Sequence, residues 1–142
     1  MATTTASITI SSGDLTGDAL SLTSSTTLRK AAAATGLDQT TGVARKFLAG
    51  NASATVDYTL LTASDFADNK AHKVYIKFNS TSNSEFLLVL MGATEIGRLY
   101  GGDFLFMPWS ADETPATDND IKVQTPSGVV NTTVEFLAIY EA

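Results

Sequence analysis

The chain contains no cysteine and a single histidine, His72, in 142 residues. Without cysteine there is no disulfide framework, no thiolate nucleophile and no cysteine-ligated zinc or iron–sulfur centre. A lone histidine also excludes any metal site that takes two imidazoles from one chain. A folded chain of this length buries roughly two-thirds of the surface that its unfolded form exposes, so we expect one domain that folds without a metal or a disulfide.

Charged residues are scarce, at 17% of the chain against about 25% in an average globular protein. Nine lysines and arginines face fifteen aspartates and glutamates, which gives a formal net charge of −6. An acidic chain repels phosphate backbones, and adjacent basic residues occur only at 29–30 and 45–46. We therefore expect no nucleic-acid partner.

Long apolar runs are also missing. The longest strongly apolar run is Phe86–Met91, six residues, whereas a membrane helix needs about 20. Residues 1–10 have neither the basic start nor the apolar stretch of a secretion signal. We therefore expect synthesis in the cytoplasm without export and no membrane partner.

Serine and threonine are abundant instead, 34 of 142 residues, and threonine packs well in extended chain. Apolar and polar residues alternate with a period of two in several segments, most clearly over residues 73–78. Turn residues bound each segment, and no alternation of strands with helices appears. The pattern predicts an all-β protein of seven to nine short strands, an antiparallel β-sandwich or a jelly-roll-like fold.

The two parts of the chain differ in composition. Residues 1–50 are rich in Ser, Thr, Ala and Gly and contain one aromatic residue, Phe47. Short strands are predicted at 6–10 and 19–23, whereas the alanine-rich stretch 28–35 is not expected to be helical because Gly36 follows it directly. We expect residues 1–50 to form an arm or outer strands packed on a neighbouring subunit, and residues 51–142 to form the core of the single domain.

Three local predictions concern the core region. Ser64 is a candidate N-cap for one helical turn over residues 63–68. The continuous apolar run Phe86–Met91 predicts a strand that is covered on both faces. Alternation over residues 130–140 predicts the last strand.

Catalytic candidates are few. A serine-type triad has to use His72 with Asp57 or Asp65 behind it, and the chain has no G-x-S-x-G motif. A glycosidase needs two carboxylates at a fixed separation, which sequence does not fix. The candidate carboxylates for this role are Glu95, Asp103, Asp112 and Glu113. A solvated histidine and surface carboxylates explain these residues better, so we expect no enzyme.

Two candidate binding sites rank below simpler interpretations. Asp118 and Asp120, with Asn119 between them, offer oxygen ligands for calcium, but no EF-hand pattern follows and such a run is usually a turn. Glycine-rich phosphate motifs are absent, so no cofactor is expected. A sugar-stacking platform competes with core or interface roles for the aromatic residues Trp109, Tyr100, Tyr75 and Tyr140.

A resemblance to a known class of protein enters through residues 95–104, followed by Pro108-Trp109 and by residues 120–123. Together with residues 73–77 and 134–136, this block resembles small β-rich virion proteins of tailed bacteriophages, cyanophages among them. The resemblance implies a structural subunit that resides in the virion: a capsid decoration (cement) protein, a head fibre or a tail-associated component. It carries no catalytic residue.

The leading hypothesis is a capsid decoration protein that binds the head surface through its N-terminal segment and through homo-oligomer contacts, with a trimer favoured. Its partner would be the major capsid protein or another virion protein. The alternative is a carbohydrate- or receptor-binding β-sandwich module of a tail or fibre component. The residues expected at an interface are Arg98, Tyr100, Phe104, Phe106, Met107 and Trp109.

Overall fold

The structure, a computed structural model, describes residues 3–14, 17, 19–112, 118–128 and 131–142. Eleven strands lie in this described part: β1 (Thr5–Ser12), β2 (Leu20–Thr27), β3 (Gln39–Thr40), β4 (Ala44–Leu48), β5 (Val56–Leu61), β6 (His72–Phe78), β7 (Phe86–Met91), β8 (Thr94–Tyr100), β9 (Phe104–Trp109), β10 (Ile121–Thr125) and β11 (Thr132–Tyr140). None of the helical segments in the same part has the length and apolarity to cross a membrane.

Two antiparallel sheets and a separate hairpin make up the fold. Sheet I has the strand order β5-β10-β7-β8. Sheet II has the order β3-β11-β6-β9, and β4 pairs with β11 on the same side as β3, farther along the strand. Strands β1 and β2 pair only with each other and form the N-terminal hairpin. The predicted all-β antiparallel sandwich is confirmed.

The predicted number of strands was too low, since the described residues contain eleven and not seven to nine. The two strands that were not predicted are β3 and β4, which lie on either side of Thr41 and Gly42. Gly42 does adopt a positive φ of 74°, and the chain turns there between two strands that both pair with β11. Strands that are this short, and that pair with a single neighbouring strand, show little of the period-two alternation by which a strand is predicted from sequence.

The core lies between the two sheets. Strand β6 shows the cause most clearly, because its alternate residues Val74, Ile76 and Phe78 are fully buried while Lys73, Tyr75 and Lys77 turn outward. The same period of two directs the buried residues of the other strands toward the opposite sheet. The buried strand residues of the core are Leu48, Leu60, Leu61, Val74, Ile76, Phe78, Leu87, Val89, Leu99, Trp109, Ile121, Val123, Val134 and Ala138.

Local structure agrees with the sequence in part. The alanine-rich stretch 28–35 contains no helix among its residues, as predicted. The turn after β5 is a three-residue 3-10 helix over Ala63–Asp65, so its N-cap is Thr62 and not Ser64. Strand β7 buries Leu87 and Val89 but leaves its other four residues half-buried, so the prediction that it is covered on both faces was wrong. The last strand begins at Thr132, and Val130 lies outside the described residues.

Candidate interaction surfaces

The N-terminal hairpin has two faces of different chemistry, because its strands pair in register from Thr5–Thr27 to Ser12–Leu20. One face consists entirely of serine and threonine, and Ser7 Oγ donates to Ser25 Oγ across it at 2.9 Å. The other face, which we call the apolar face of the hairpin, carries the four large side chains Ile8, Ile10, Leu20 and Leu22.

The apolar face of the hairpin is exposed to solvent. Its four large side chains are between 39% and 49% exposed, and nearly every other residue of β1 and β2 is exposed too. An isolated two-stranded hairpin is at best marginally stable in water, because it has no core to bury its apolar side chains. This hairpin therefore has the composition of an element that packs on a partner.

The root of the hairpin, in contrast, is fixed to the sandwich. The backbone N–H of Leu28 donates to the carbonyl of Thr4 at 2.8 Å, and the Thr4 hydroxyl donates to the carbonyl of Leu37 at 2.7 Å. Leu28 and Leu37 are buried. Glu141, at the end of β11, accepts a hydrogen bond from the N–H of Ala31 at 2.9 Å. The two strands of the hairpin therefore extend from a root that is hydrogen-bonded to the rest of the chain.

A second uncovered apolar surface lies on the outer face of sheet II. Strand register places Leu137, Tyr75 and Phe106 side by side on β11, β6 and β9. Phe104 is 60% exposed, and its ring lies 6.2 Å from that of Tyr75. We call these four residues the aromatic patch.

Charged side chains lie directly beside the aromatic patch. Arg45 Nε pairs with Glu135 at 3.0 Å, and the register places Lys77 between Glu135 and Phe104, while Lys73 lies on the other side of Tyr75 along β6. Partial burial, with the Glu135 carboxylate adding to it, raises the pKa of Tyr75 above its ordinary value. Tyr75 is therefore neutral throughout the physiological range, and the patch carries no charge of its own.

The six residues expected at an interface fall in three places. Phe104 and Phe106 lie together on the outer face of sheet II. Met107 and Trp109 point inward from the same strand, and the Trp109 indole N–H donates to the Asn119 carbonyl at 2.9 Å. Arg98 and Tyr100 lie on β8 of sheet I, where Arg98 stacks over the Phe86 ring at 4.8 Å.

The four aromatic residues that were candidates for a sugar-stacking platform also lie in different parts of the fold. Trp109 and Tyr140 pack against the core, Tyr75 belongs to the aromatic patch, and Tyr100 is 43% exposed on sheet I. Tyr100 and the ring of Phe86 lie 5.8 Å apart. The structure therefore does not bring the four residues onto one platform.

His72 lies in the core at one end of β6. Its side chain is 1% exposed, and its ring meets those of Phe66 and Trp109 edge-on at 5.6 Å and 5.8 Å. Neither ring nitrogen has a hydrogen-bond partner among the described residues. A catalytic triad needs an aspartate on the imidazole, and the structure brings neither Asp57 nor Asp65 to it.

The candidate carboxylates take part in separate local contacts. Glu95 pairs with Arg98 at 3.6 Å, Asp103 accepts from the N–H of Tyr100, and Asp112 accepts from the N–H of Asn69. Glu113 lies outside the described residues. These contacts are those of turns and surface pairs.

The candidate calcium ligands are similarly occupied. Asp118 pairs with Lys122, and this contact lowers the pKa of the carboxylate. Asp120 Oδ1 accepts from the N–H of Ala63 at 2.8 Å, which joins β10 to the 3-10 turn. Within the described ranges no group of three metal-ligating side chains forms, and residues 113–117 of the acidic loop lie outside those ranges.

No protein-family model and no curated protein sequence matches this chain.

Proposed function

We propose that this chain is a structural subunit of a virion, of the capsid-decoration type, which works by adhering to neighbouring subunits through its N-terminal hairpin. The observation that carries the proposal is the exposed apolar face of that hairpin on an otherwise well-packed sandwich. Apolar side chains in such an arrangement gain free energy only when another protein covers them. The phage context comes from the resemblance of roughly residues 55–142 to small β-rich virion proteins of tailed bacteriophages.

Two features support adhesion over catalysis. The single histidine is buried in the core, where solvent and substrate have little access. Among the described residues, the apolar face of the hairpin and the aromatic patch both expose large apolar side chains, and contiguous exposed apolar surface of this kind marks sites of contact with other proteins.

The test is attachment to particles of the phage that encodes the chain. We expect the protein in purified particles at a regular stoichiometry, and we expect recombinant chain to bind particles from which it has been removed. A variant lacking residues 3–27 should lose this binding while its sandwich still folds, because the core does not include the hairpin. Absence from purified particles would overturn the proposal, and so would full binding by the shortened chain.

A receptor- or glycan-binding role is the second candidate, supported by the exposed Tyr100 beside Phe86 and Arg98 on sheet I. It predicts binding on a glycan array that a Tyr100→Ala substitution removes. Binding that survives this substitution, or a silent array, would count against it.

A further inference from the structure

The aromatic patch lies on a positively charged face, although the chain as a whole is acidic. Among the described residues of sheet II, the charged side chains that turn outward are Arg45, Lys73, Lys77 and Glu135. Three of them are cations and one is an anion, so this face has a net charge of +2 on a chain of −6. We call these four residues and the aromatic patch together the basic face.

The two lysines of the basic face have no carboxylate partner of their own. Neither Lys73 nor Lys77 forms an ion pair among the described residues, and Glu135, which stands opposite Lys77, pairs with Arg45. Both lysines are half-buried and flank Tyr75 at a distance of two residues, about 7 Å along β6. Their ammonium groups are therefore available to an anion from outside the chain.

A partner that covers Tyr75 also covers the two lysines beside it. An ammonium group that is taken out of water without an anion costs free energy, and a carboxylate beside it offsets that cost. We infer that the basic face docks on an acidic protein surface, where carboxylates meet Lys73 and Lys77 and apolar side chains meet the aromatic patch. The inference rests on the proposed function, since it states the chemistry of the virion subunit on which the hairpin also docks.

Other anionic partners fit the basic face less well. Its one carboxylate is paired and it contains no amide, so only the Tyr75 hydroxyl is left as an acceptor for sugar hydroxyls. A nucleic acid brings a phosphate with every nucleotide, and the acidic remainder of the chain repels those phosphates. An extended peptide lying across Tyr75 finds no strand edge to pair with, because β6 is already paired with β11 and β9. The surface of a folded acidic protein meets none of these obstacles.

The basic face is small and lies next to the hairpin. It measures about 14 Å from Lys73 to Lys77 and about 10 Å across β11, β6 and β9, far less than a stable interface needs. Thr4 at the root of the hairpin and Leu137 of the aromatic patch line one groove of about 300 Å³, so a single partner can contact both surfaces. Charges at the margin of a contact act mainly on the rate of association. The basic face therefore orients the chain on its partner, and the hairpin holds it there.

The rate of association with particles tests the role of the lysines. Particles from which the chain has been removed are immobilised, and the chain is passed over them at low and at high salt. We expect Lys73→Gln and Lys77→Gln each to associate at least about twofold more slowly at low salt, and the double variant to lose most of the salt dependence. The matched control Lys122→Gln removes one cation from a half-buried lysine of sheet I and should associate at the wild-type rate.

The rate of dissociation tests the aromatic patch. Phe104 is 60% exposed, so Phe104→Ala leaves the core intact, and we expect this variant to dissociate roughly two- to tenfold faster. Tyr100→Ala, which removes a 43% exposed ring from sheet I, should dissociate like the wild type. The fluorescence emission of the buried Trp109 shows that each variant keeps its fold.

Three kinetic results would overturn the inference: lysine variants that associate like the wild type, equal slowing by the Lys122→Gln control, or unchanged dissociation of Phe104→Ala. Tighter binding to a single-stranded thymidine oligonucleotide, or to a second copy, than to the particles would also overturn it, because the basic face would then have a different partner. If one of these results appears while deletion of residues 3–27 still abolishes particle binding, the proposed function stands and only the inference fails. Particles that bind no chain at all overturn both.

Discussion

Burial of the only histidine should make the stability of this protein depend on pH near neutrality. Desolvation in the core lowers the pKa of His72 below its ordinary value of 6.5, and the positive charge of Lys73 acts in the same direction. The carboxylates of Asp112 and Glu141 act in the opposite direction but do not cancel the effect of burial. The folded protein therefore holds the imidazole neutral at a pH where the unfolded chain protonates it.

The sign of the effect follows from this difference in proton binding. About one pH unit or more above 6.5, both states are almost entirely neutral at His72, and the residue adds little pH dependence. As the pH falls from 6.5 toward the lower pKa of the folded state, the unfolded chain binds the proton first and stability is lost. The loss amounts to at most about 1.4 kcal/mol per pH unit, and it stops below the folded-state pKa.

A His72→Leu substitution removes this titration and two buried nitrogens that lack partners among the described residues. Removing an unsatisfied buried polar group raises the free energy of unfolding by about 1–3 kcal/mol. The loss of each ring contact, with Phe66 and with Trp109, lowers it by about 0.5–1.5 kcal/mol. The two effects nearly cancel at pH 7.5. At pH 5.5 the variant should gain up to about 1.4 kcal/mol relative to wild type, a shift of about 4 °C in Tm.

Denaturant titration of both proteins at pH 5.5, 6.5 and 7.5 measures this difference. A Val74→Ala variant, altered at a buried neighbour on the same strand, should lose the same free energy at every pH and serves as the control. The C–H resonance of the single histidine reports its pKa directly by NMR. Parallel stability curves for wild type and His72→Leu, or a histidine that titrates at or above 6.5, would refute the reasoning.

Two further substitutions test close contacts in the fold. A Gly92→Ala chain should be less stable than a Gly102→Ala chain by at least about 1 kcal/mol in denaturant titration. Both glycines have positive φ, but only at Gly92 would the new Cβ collide with a backbone oxygen, that of Asp118. Equal losses of stability in the two variants would contradict this. Glu141→Gln should speed hydrogen exchange of the Ala31 amide and leave the exchange of β6 unchanged, since the Glu141 carboxylate holds the hairpin root. Hydrogen bonds to that carboxylate lower its pKa, so the wild type should lose this protection as the pH falls below the ordinary value for glutamate, and the variant should not.

The sandwich was predictable because its central strands bury one face each. In β6 and β10, period-two alternation in the sequence corresponds directly to alternate burial, from Val74 to Phe78 and from Ile121 to Thr125. In strand β9, the residues expected at an interface lie on both faces of the sheet. Phe104 and Phe106 point outward and Met107 points inward, and the period-two alternation of a strand is sufficient to predict this separation from the sequence.

The candidate surfaces were less predictable, because sequence shows which residues share a face but not what covers that face. Ile8 and Ile10 alternate with polar residues just as Val74 and Ile76 do. Only the register of β1 on β2, and the exposure that results, distinguishes the hairpin from a core strand. Pairing partners are set by contacts between distant residues, and these leave no local pattern to find.

The contrast between these two strand pairs bears on how the chain works. In the sandwich, alternation is satisfied within one copy, since sheet I covers the inner face of sheet II. In the hairpin, the same alternation produces an apolar face whose four large side chains remain exposed. A sequence that arranges eight hydroxyl residues on one face and keeps the large apolar ones on the other has the pattern of a half-buried strand pair, and this pattern is the reason why we propose that another molecule covers the apolar face of the hairpin.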